Sequence, residues 1–193
     1  MHSGTIAVDL DDTLNNFSEV LRETPFVRAP GHRLSEELFH EYLRRLRSES
    51  VDYGELLSTD YGYFRSEIVL QCFALAQPRA DGVDFMQWLR REGWRIVICT
   101  RRDLRRSHDV TRKWLASHAI PFDHLFMAAN KIALCALWGI RHLVDDDPFN
   151  IAHGDRYGVR VYYPAAAGRA PIAPGATAFG SFAEIKPWIR KSR

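Results

Sequence analysis

Short apolar segments alternate with helical patterns along most of the 193-residue chain, and this alternation constrains the fold more than any other feature. The segments are rich in the β-branched, aliphatic and aromatic residues that suit strands. They span residues 5–8, 94–99, 125–127, 141–144 and 159–163. Strands that alternate with helices are joined by right-handed crossovers and form a mainly parallel sheet. We therefore predict an α/β fold, a Rossmann-like parallel sheet sandwiched by helices.

Residues 15–77 interrupt this alternation. Ser35 can cap a helix whose apolar side chains recur at helical spacing, and residues 66–76 fit a second helix. The chain is long enough for one core with a modest insertion but short for two full domains. We predict that residues 1–14 and 78–193 form an α/β catalytic core, and that residues 15–77 form a helical cap inserted after the first strand.

Local signals place further elements in the second half of the chain. Asp81 is suited to cap a helix that ends before Gly93. The stretch 164–178, rich in Ala, Pro and Gly, predicts an irregular surface segment. Ser181 and Glu184 have the spacing of a capping box, which predicts a last short helix.

Composition excludes several classes of partner. The net charge of +2 is too small for the basic footprint of a nucleic-acid-binding protein, so no stable nucleic-acid partner is expected. No apolar run approaches the roughly 20 residues that cross a bilayer, and the N-terminus lacks a signal-peptide pattern. We expect a cytoplasmic protein with no membrane partner, and the sequence leaves open whether it forms a homo-oligomer.

The three cysteines, Cys72, Cys99 and Cys135, are odd in number and widely spaced in apolar surroundings. This pattern favours reduced thiols packed in the core over a disulfide framework or a zinc site.

Polar side chains follow three of the predicted strands, and a lysine opens the helix before the last of these three, residues 141–144. They are Asp9, Asp11, Thr100, Arg101, Lys131, Asp145, Asp146 and Asp147. In open parallel sheets, ligands bind outside the carboxyl ends of the strands, so these side chains should converge on one crevice. Each signal alone is weak, because an acidic turn or a lone lysine is more often a cap or a surface charge. Because all of them occur in order at strand ends or helix starts of one βα framework, together they favour a functional site.

The carboxylates in this crevice predict a magnesium-dependent phosphoryl-transfer site. Four of them, those of Asp9, Asp11, Asp145 and Asp146, would repel one another and raise their own pKa values unless a cation lay among them. All-oxygen ligands favour Mg²⁺ over Zn²⁺, and Mg²⁺ often shares its coordination sphere with phosphate. One carboxylate can then act as nucleophile while a second moves a proton.

Asp9 and Asp11 suit the nucleophilic and proton-transfer roles. Two residues apart at a strand end, they would face the same way if the extended geometry continued. Asp12 would then point elsewhere, so we expect it to be structural or exposed. Thr100 and Lys131 can hold phosphate oxygens.

These strings resemble the four motifs of the haloacid dehalogenase superfamily, at residues 9–14, 96–100, Lys131 and 143–146. The resemblance implies that Asp9 attacks phosphorus, and that Asp11 protonates the leaving alkoxide and then activates water. It also implies phosphate binding by Thr100, Arg101 and Lys131.

By the same resemblance, Mg²⁺ is held by the Asp9 carboxylate, the Asp11 main-chain carbonyl and one acid of the last motif. Asp146 is favoured as the direct ligand, and Asp145 would lie next to the ligands without binding the metal itself, although the sequence does not settle which of the two binds directly. The presence of Asp11 argues against a true dehalogenase.

A narrower similarity to 5'(3')-deoxyribonucleotidase-like proteins rests on residues 9–17, Thr100 with Arg101, and residues 144–150. It implies a small phosphomonoester substrate, a nucleoside (deoxy)monophosphate. Phe17 and Arg65 are the candidate substrate contacts, since aromatic rings can stack on a base. The competing interpretation of such aromatic residues is that they pack in the core of the cap.

Three alternatives stay open at this point. The same chemistry could act on a sugar phosphate or another small phosphomonoester, or on a nucleic-acid 3'-phosphate. A non-enzymatic phospho-receiver module also uses an acidic cluster, a threonine, a lysine and Mg²⁺. Its phosphorylated aspartate would lie on a later strand than the one before Asp9.

Overall fold

A six-stranded, fully parallel sheet forms the centre of the protein. The computed structural model describes residues 4–24, 35–47, 64–165 and 173–191. The strands are β1 (Gly4–Val8), β2 (Trp94–Thr100), β3 (His124–Met127), β4 (His142–Val144), β5 (Arg160–Pro164) and β6 (Thr177–Phe179), in the spatial order β3-β2-β1-β4-β5-β6. The predicted α/β parallel fold is confirmed.

The protein has eight α-helices in the described ranges. They are α1 (Phe17–Glu23), α2 (Glu36–Arg47), α3 (Val69–Leu75, continuing a π-helical turn over Phe64–Ile68), α4 (Ala80–Arg91), α5 (Leu104–Ser117), α6 (Lys131–Leu137), α7 (Pro148–His153, followed by a 3₁₀ turn over Asp155–Tyr157) and α8 (Phe182–Lys191). Of these, α4 to α8 cover the two faces of this sheet, and α1 to α3 belong to the insertion. None of the helices in these described ranges is long and apolar enough to cross a membrane.

Strand β1 lies in the middle of the sheet and is buried on both sides. Ile6 is opposite Ile96 on β2 and His142 on β4. Ile6 and Val8 belong to the hydrophobic cluster under α4, α5 and α8, whereas Ala7 faces the cluster under α6 and α7. This alternation between two covered faces is what a central parallel strand requires.

The helices of the insertion build a hydrophobic cluster of their own. Its buried members are Phe39, Tyr42, Phe64, Val69 and Phe73. An isolated bridge between Asn15 and Pro78 brings the two ends of the insertion together. Residues 25–34 and 48–63 lie outside the described part of the chain. The role of the segment as a cap over the substrate stays a prediction.

The structure differs from the sequence-based expectations at three elements. Helix α4 begins one residue before Asp81, whose carboxylate instead accepts a hydrogen bond from the Phe182 backbone N–H at 3.1 Å and ties α4 to α8. Strand β6 overlaps the end of the segment 164–178, which was expected to be irregular, because its pairing with β5 forms a strand despite the Ala-, Pro- and Gly-rich composition. Helix α1 lies in the segment that was predicted to be helical, but no helix was placed before Ser35.

Other local predictions are confirmed. Leu38 donates its backbone N–H to the Ser35 hydroxyl at 3.2 Å, at the start of α2. Ser181 donates its backbone N–H to the Glu184 carboxylate at 3.0 Å, and its hydroxyl accepts from Ala183 at 3.3 Å, which is a capping box. All three cysteines are buried and free.

Candidate active site

The carboxyl ends of the central strands bring Asp9, Thr100 and Asp145 to one edge of the sheet. The Asp9 backbone N–H donates to the Val144 carbonyl at 2.9 Å, and the Asp145 N–H donates to the Tyr162 carbonyl at 2.9 Å. These bonds continue the parallel pairing one residue past β1 and β4. The backbone therefore fixes both carboxylates side by side, as the motif order predicted.

Lys131 joins the two strand-end carboxylates through one buried ammonium group. Its Nζ lies 2.7 Å from Asp9 Oδ2 and 3.0 Å from Asp145 Oδ2, with only 2% of its side chain exposed. Asn130 caps α6 by accepting the Ala133 N–H, which places Lys131 at the first position of that helix. Burial alone would lower the pKa of Lys131, but Asp9 and Asp145 raise it above its ordinary value. The ammonium therefore stays charged.

Asp9, Asp145 and Asp146 form the acidic group that could hold a metal ion among the residues searched in the described part of the chain. One oxygen from each lies within 4.8 Å of the others. Burial raises the pKa of Asp9 well above its ordinary value, against the pull of Lys131 and with the help of the other two carboxylates. Burial and the Asp145 charge raise the pKa of Asp146 to about 7. A divalent cation would relieve this repulsion, and the all-oxygen donor set fits Mg²⁺.

The two acids of the last motif differ in how many protein donors they already have. Asp145 accepts hydrogen bonds from Lys131, from the Asp147 backbone N–H at 3.0 Å and from Asn150 Nδ2 at 2.9 Å. Asp146 accepts one from the Thr13 hydroxyl at 3.1 Å. Asp146 thus has more lone pairs left for a cation, which favours it as a direct ligand.

Within the described part of the chain, Asp9 Oδ1 and Thr100 Oγ1 at this edge are buried without a hydrogen-bond partner, as is Oδ1 of Asn150, whose Nδ2 donates to Asp145. Leaving a buried polar group unpaired costs about 1 to 3 kcal/mol, so such atoms call for a specific explanation. A bound cation would satisfy Asp9 Oδ1, and a phosphate oxygen would accept the proton of the Thr100 hydroxyl. The two atoms therefore fit a site that binds a cation together with an anion.

Asp11 contacts a different cation from Asp9. Arg102 donates from Nε to Asp11 Oδ2 at 2.9 Å and from Nη2 to Oδ1 at 2.6 Å, while Asn15 Nδ2 donates to Oδ1 at 3.2 Å. The chain turns directly after Leu10, whose carbonyl accepts the Leu14 N–H at 2.8 Å. The extended geometry therefore does not continue, and the expectation that the two carboxylates face the same way is wrong.

Arg102 belongs to the site although its sequence pattern indicated no role. The predicted phosphate-binding residue was its neighbour Arg101, which is about half exposed and pairs with Asp147 at 3.1 Å. Thr100 and Arg102 are buried, whereas Arg101 is exposed. Both arginines follow the end of β2, so strand alternation gave no signal to separate them. Phosphate binding by Arg101 stays a prediction.

Asp12 is structural, as expected. It has a positive φ of 59° and accepts hydrogen bonds from the Ser18 backbone N–H at 2.8 Å and from the Ser18 hydroxyl. Asp12 thereby anchors the start of α1 to the turn after Asp11.

The two predicted substrate contacts lie in the insertion. The Phe17 ring is partly buried, with its centroid 4.8 Å from that of Phe73. The side chain of Arg65 lies outside the described residues. A role for either in binding substrate stays a prediction.

No protein-family model and no curated protein matches this chain. Solved structures do share its fold. A haloacid dehalogenase-like hydrolase from Streptococcus pneumoniae has a TM-score of 0.58 and 16% identity, covering 97% of this chain and 98% of its own. A D,D-heptose 1,7-bisphosphate phosphatase from B. bronchiseptica, complexed with magnesium and phosphate, has a TM-score of 0.52 and 11% identity, with both chains fully covered.

A predicted phosphoglycolate phosphatase from Haemophilus somnus 129pt is a third similar structure, with a TM-score of 0.57 and 14% identity over 98% of this chain and 97% of its own. At such identities the similarity shows the fold alone, because one fold hosts many functions. The fold of this protein is therefore that of the haloacid dehalogenase-like hydrolases, as the motifs suggested.

Proposed function

We propose that this haloacid dehalogenase-like protein is a Mg²⁺-dependent phosphomonoester hydrolase that acts through a covalent aspartyl-phosphate, an acyl phosphate, on Asp9. The observation that carries the proposal is the pair of buried, unpartnered oxygens, Asp9 Oδ1 and Thr100 Oγ1, beside the Lys131 ammonium and the acidic cluster. Such a site offers a nucleophilic carboxylate, donors for phosphate oxygens and ligands for a divalent cation.

In the first half of the reaction, the Asp9 carboxylate attacks phosphorus, and the bond from phosphorus to the leaving alkoxide breaks. Asp11 gives its proton to that alkoxide. Thr100 and Lys131 donate hydrogen bonds to the equatorial oxygens of the transferring group. Asp9, the Asp11 main-chain carbonyl and Asp146 would hold Mg²⁺, which would supply positive charge to neutralise the phosphate.

In the second half, water attacks the phosphorus of the Asp9 acyl phosphate. Asp11, now a carboxylate, accepts the proton of this water, and the bond between phosphorus and Asp9 breaks. Free phosphate leaves with Asp9 regenerated. A single acid thus serves both steps, first as donor and then as acceptor.

The decisive experiment replaces the nucleophile. Asp9→Asn and Asp9→Ala should abolish hydrolysis while far-ultraviolet circular dichroism and thermal unfolding still show a folded protein. Asp84→Asn is the matched control, because Asp84 is exposed on α4. Chelation of Mg²⁺ should also stop turnover, and added Mg²⁺ should restore it. Turnover that survives in both Asp9 variants would refute the covalent mechanism.

Within small phosphomonoesters, we propose nucleoside (deoxy)monophosphates as the substrate. Support comes from the sequence similarity to deoxyribonucleotidase-like proteins and from aromatic side chains of the insertion, of which Phe17 directly follows the turn after Asp11. A sugar phosphate is the second candidate, because one similar structure is of a heptose bisphosphate phosphatase.

A hydrolysis panel at saturating Mg²⁺ separates these substrates. It should contain 5'- and 3'-deoxynucleotides, ribonucleotides, sugar phosphates, phosphoglycolate and a 3'-phosphorylated DNA strand. A kcat/KM at least about tenfold higher for a mononucleotide than for any sugar phosphate is the expected result, a difference of roughly 1.4 kcal/mol in transition-state binding. Equal rates on the DNA strand would contradict a small-substrate cap, and a long-lived phosphate on Asp9 would instead favour a receiver module.

A further inference from the structure

Arg102 is a buried arginine that contacts both the core and the insertion. Its side chain is 1% exposed. On one side it makes the two hydrogen bonds to Asp11, and Nη1 donates to the Thr111 hydroxyl on α5 at 3.0 Å. On the other side, its guanidinium carbon lies 3.9 Å from the centroid of the Phe73 ring on α3. One side chain therefore touches the proposed general acid and a helix of the insertion.

The helix that carries Phe73 is itself held to the core at this place. The Trp114 indole on α5 donates to the Ala76 carbonyl, just past the end of α3, at 2.7 Å. Phe73 also packs against Phe17 on α1. The position of the Phe73 ring is thus set jointly by both segments of the insertion, and Arg102 lies directly against it.

Only arginine can make this set of contacts at once. Its planar guanidinium matches both oxygens of a carboxylate and can lie flat on an aromatic ring. A lysine would keep the positive charge but would offer one donor point in place of the two-pronged contact. Arg102→Lys therefore separates the geometry of the contact from its charge.

We propose that Arg102 is a positioning residue that sets the orientation of Asp11 and couples this orientation, through Phe73, to the packing of α3 against the core. The proposal rests on the function assigned to Asp11 above. When α3 packs against Arg102, the guanidinium holds the Asp11 carboxylate in one orientation. When that packing is weakened, Asp11 loses its fixed position, and proton transfer to the leaving group slows.

The test compares two leaving groups. An alkyl phosphate, such as a nucleoside or sugar phosphate, leaves as a strongly basic alkoxide and needs a proton donor. p-Nitrophenyl phosphate leaves as a weak base and does not. The quantity to compare is kcat/KM, because it includes only steps up to the first irreversible one, at which the leaving group departs.

Arg102→Lys should lower kcat/KM for the alkyl phosphate by about 10- to 100-fold, part of the 10²- to 10⁴-fold range of general acid–base catalysis. The same variant should change kcat/KM for p-nitrophenyl phosphate by less than about threefold. Asp11→Asn should show the same selectivity in stronger form. Arg106→Gln on α5 is the control, since Arg106 is exposed and should leave both rates unchanged.

Phe73→Leu tests the coupling to the insertion. It keeps an apolar side chain but removes the aromatic face from Arg102, so we expect the same leaving-group selectivity at about three- to tenfold. If both Arg102→Lys and Arg102→Gln fail to fold, Phe73→Leu carries the test. Equal losses for both substrates in the folded variants would overturn the proposal, because a purely structural defect does not distinguish leaving groups.

The failure of this proposal can be told apart from failure of the proposed function. If Asp9→Ala stays active, the covalent mechanism is wrong, whatever Arg102 does. If Asp9→Ala is inactive while Arg102→Lys and Phe73→Leu show no leaving-group selectivity, the mechanism stands and only the positioning role is wrong.

Discussion

Replacement of Asp146 by Asn tests the electrostatics of the acidic cluster without a measurement of catalysis. The substitution keeps the size of the side chain and an oxygen that can accept the Thr13 hydrogen bond, but it removes one negative charge. In the metal-free protein, that charge is unfavourable, since burial and the Asp145 carboxylate raise the pKa of Asp146 from its ordinary value of 3.8 to about 7. We therefore expect Asp146→Asn to stabilise the metal-free protein at pH 8.

The sign and size follow from proton linkage. Between pH 4 and pH 7 the folded protein binds a proton at Asp146 that the unfolded chain does not, so this group makes the protein less stable as the pH rises through that range. Above pH 7 the full cost of the buried charge is present, on the order of 2 to 4 kcal/mol. For a chain of this length, that corresponds to roughly 5 to 15 °C in Tm.

Mg²⁺ should narrow the difference in stability between the two proteins. A ligand that binds only the folded state stabilises it by mass action, so Mg²⁺ at about 100 times its dissociation constant adds about 2.7 kcal/mol. The wild type should gain this stability at pH 8 and much less at pH 5.5, where protons compete for the same oxygens. Asp146→Asn should gain little at either pH.

Thermal unfolding followed by circular dichroism, in EDTA and over a MgCl₂ series, provides the measurement. Asp84→Asn on the exposed face of α4 controls for the loss of a carboxylate in general. The reasoning is refuted if Asp146→Asn is less stable than the wild type in EDTA at pH 8. An unchanged Mg²⁺ response in this variant would show that Asp146 is not a ligand.

Three further predictions concern buried titratable groups. Burial lowers the pKa of His142 to about 4. As the pH falls from 6.5 to 4, the wild type should therefore lose about 2 to 3 kcal/mol of stability in urea unfolding that His142→Gln does not lose. Parallel pH profiles of the two proteins would contradict this. Lys131→Met leaves two buried carboxylates without their cation and should lower the free energy of unfolding in urea by about 3 to 5 kcal/mol. Mg²⁺ should restore part of this stability, and wild-type stability in the variant would contradict the role of the ion pair. Burial raises the pKa of the Cys135 thiol to about 12, and all three cysteines are buried. An aromatic disulfide reagent at pH 7 should therefore label no cysteine in the folded protein and three after denaturation. Fast labelling without unfolding would show an exposed thiol.

The sheet and the acidic cluster could be predicted because their signals are local. Strands β1 and β2 are almost continuously apolar and end in polar residues, so both the strands and their ends are visible in the sequence. Parallel order then places Asp9 and Asp145 together whatever the details of the loops. The same reasoning fails for β6, since the sequence before it is rich in Ala, Pro and Gly and the strand forms through its pairing with β5.

The orientation of Asp11 could not be predicted from spacing. Alternation holds only while the chain stays extended, and here it turns at Leu10 and reaches a positive φ at Asp12. The contact between Arg102 and Asp11 joins residues 91 positions apart, through a guanidinium that also needs Phe73 from the insertion. Such a contact depends on how the insertion packs against α5, which no local pattern encodes.

The charges at the candidate active site can be counted from its carboxylates and its two buried basic side chains. Four carboxylates lie at this edge, those of Asp9, Asp11, Asp145 and Asp146, while Lys131 and Arg102 supply two positive charges. When all four are ionised, two negative charges are left over, and one divalent cation would balance them. Since Lys131 pairs with Asp9 and Asp145, and Arg102 pairs with Asp11, Asp146 is the acid without a basic partner among the described ion pairs. The charge balance and the geometry therefore both point to Asp146 as the acid that a bound Mg²⁺ would neutralise.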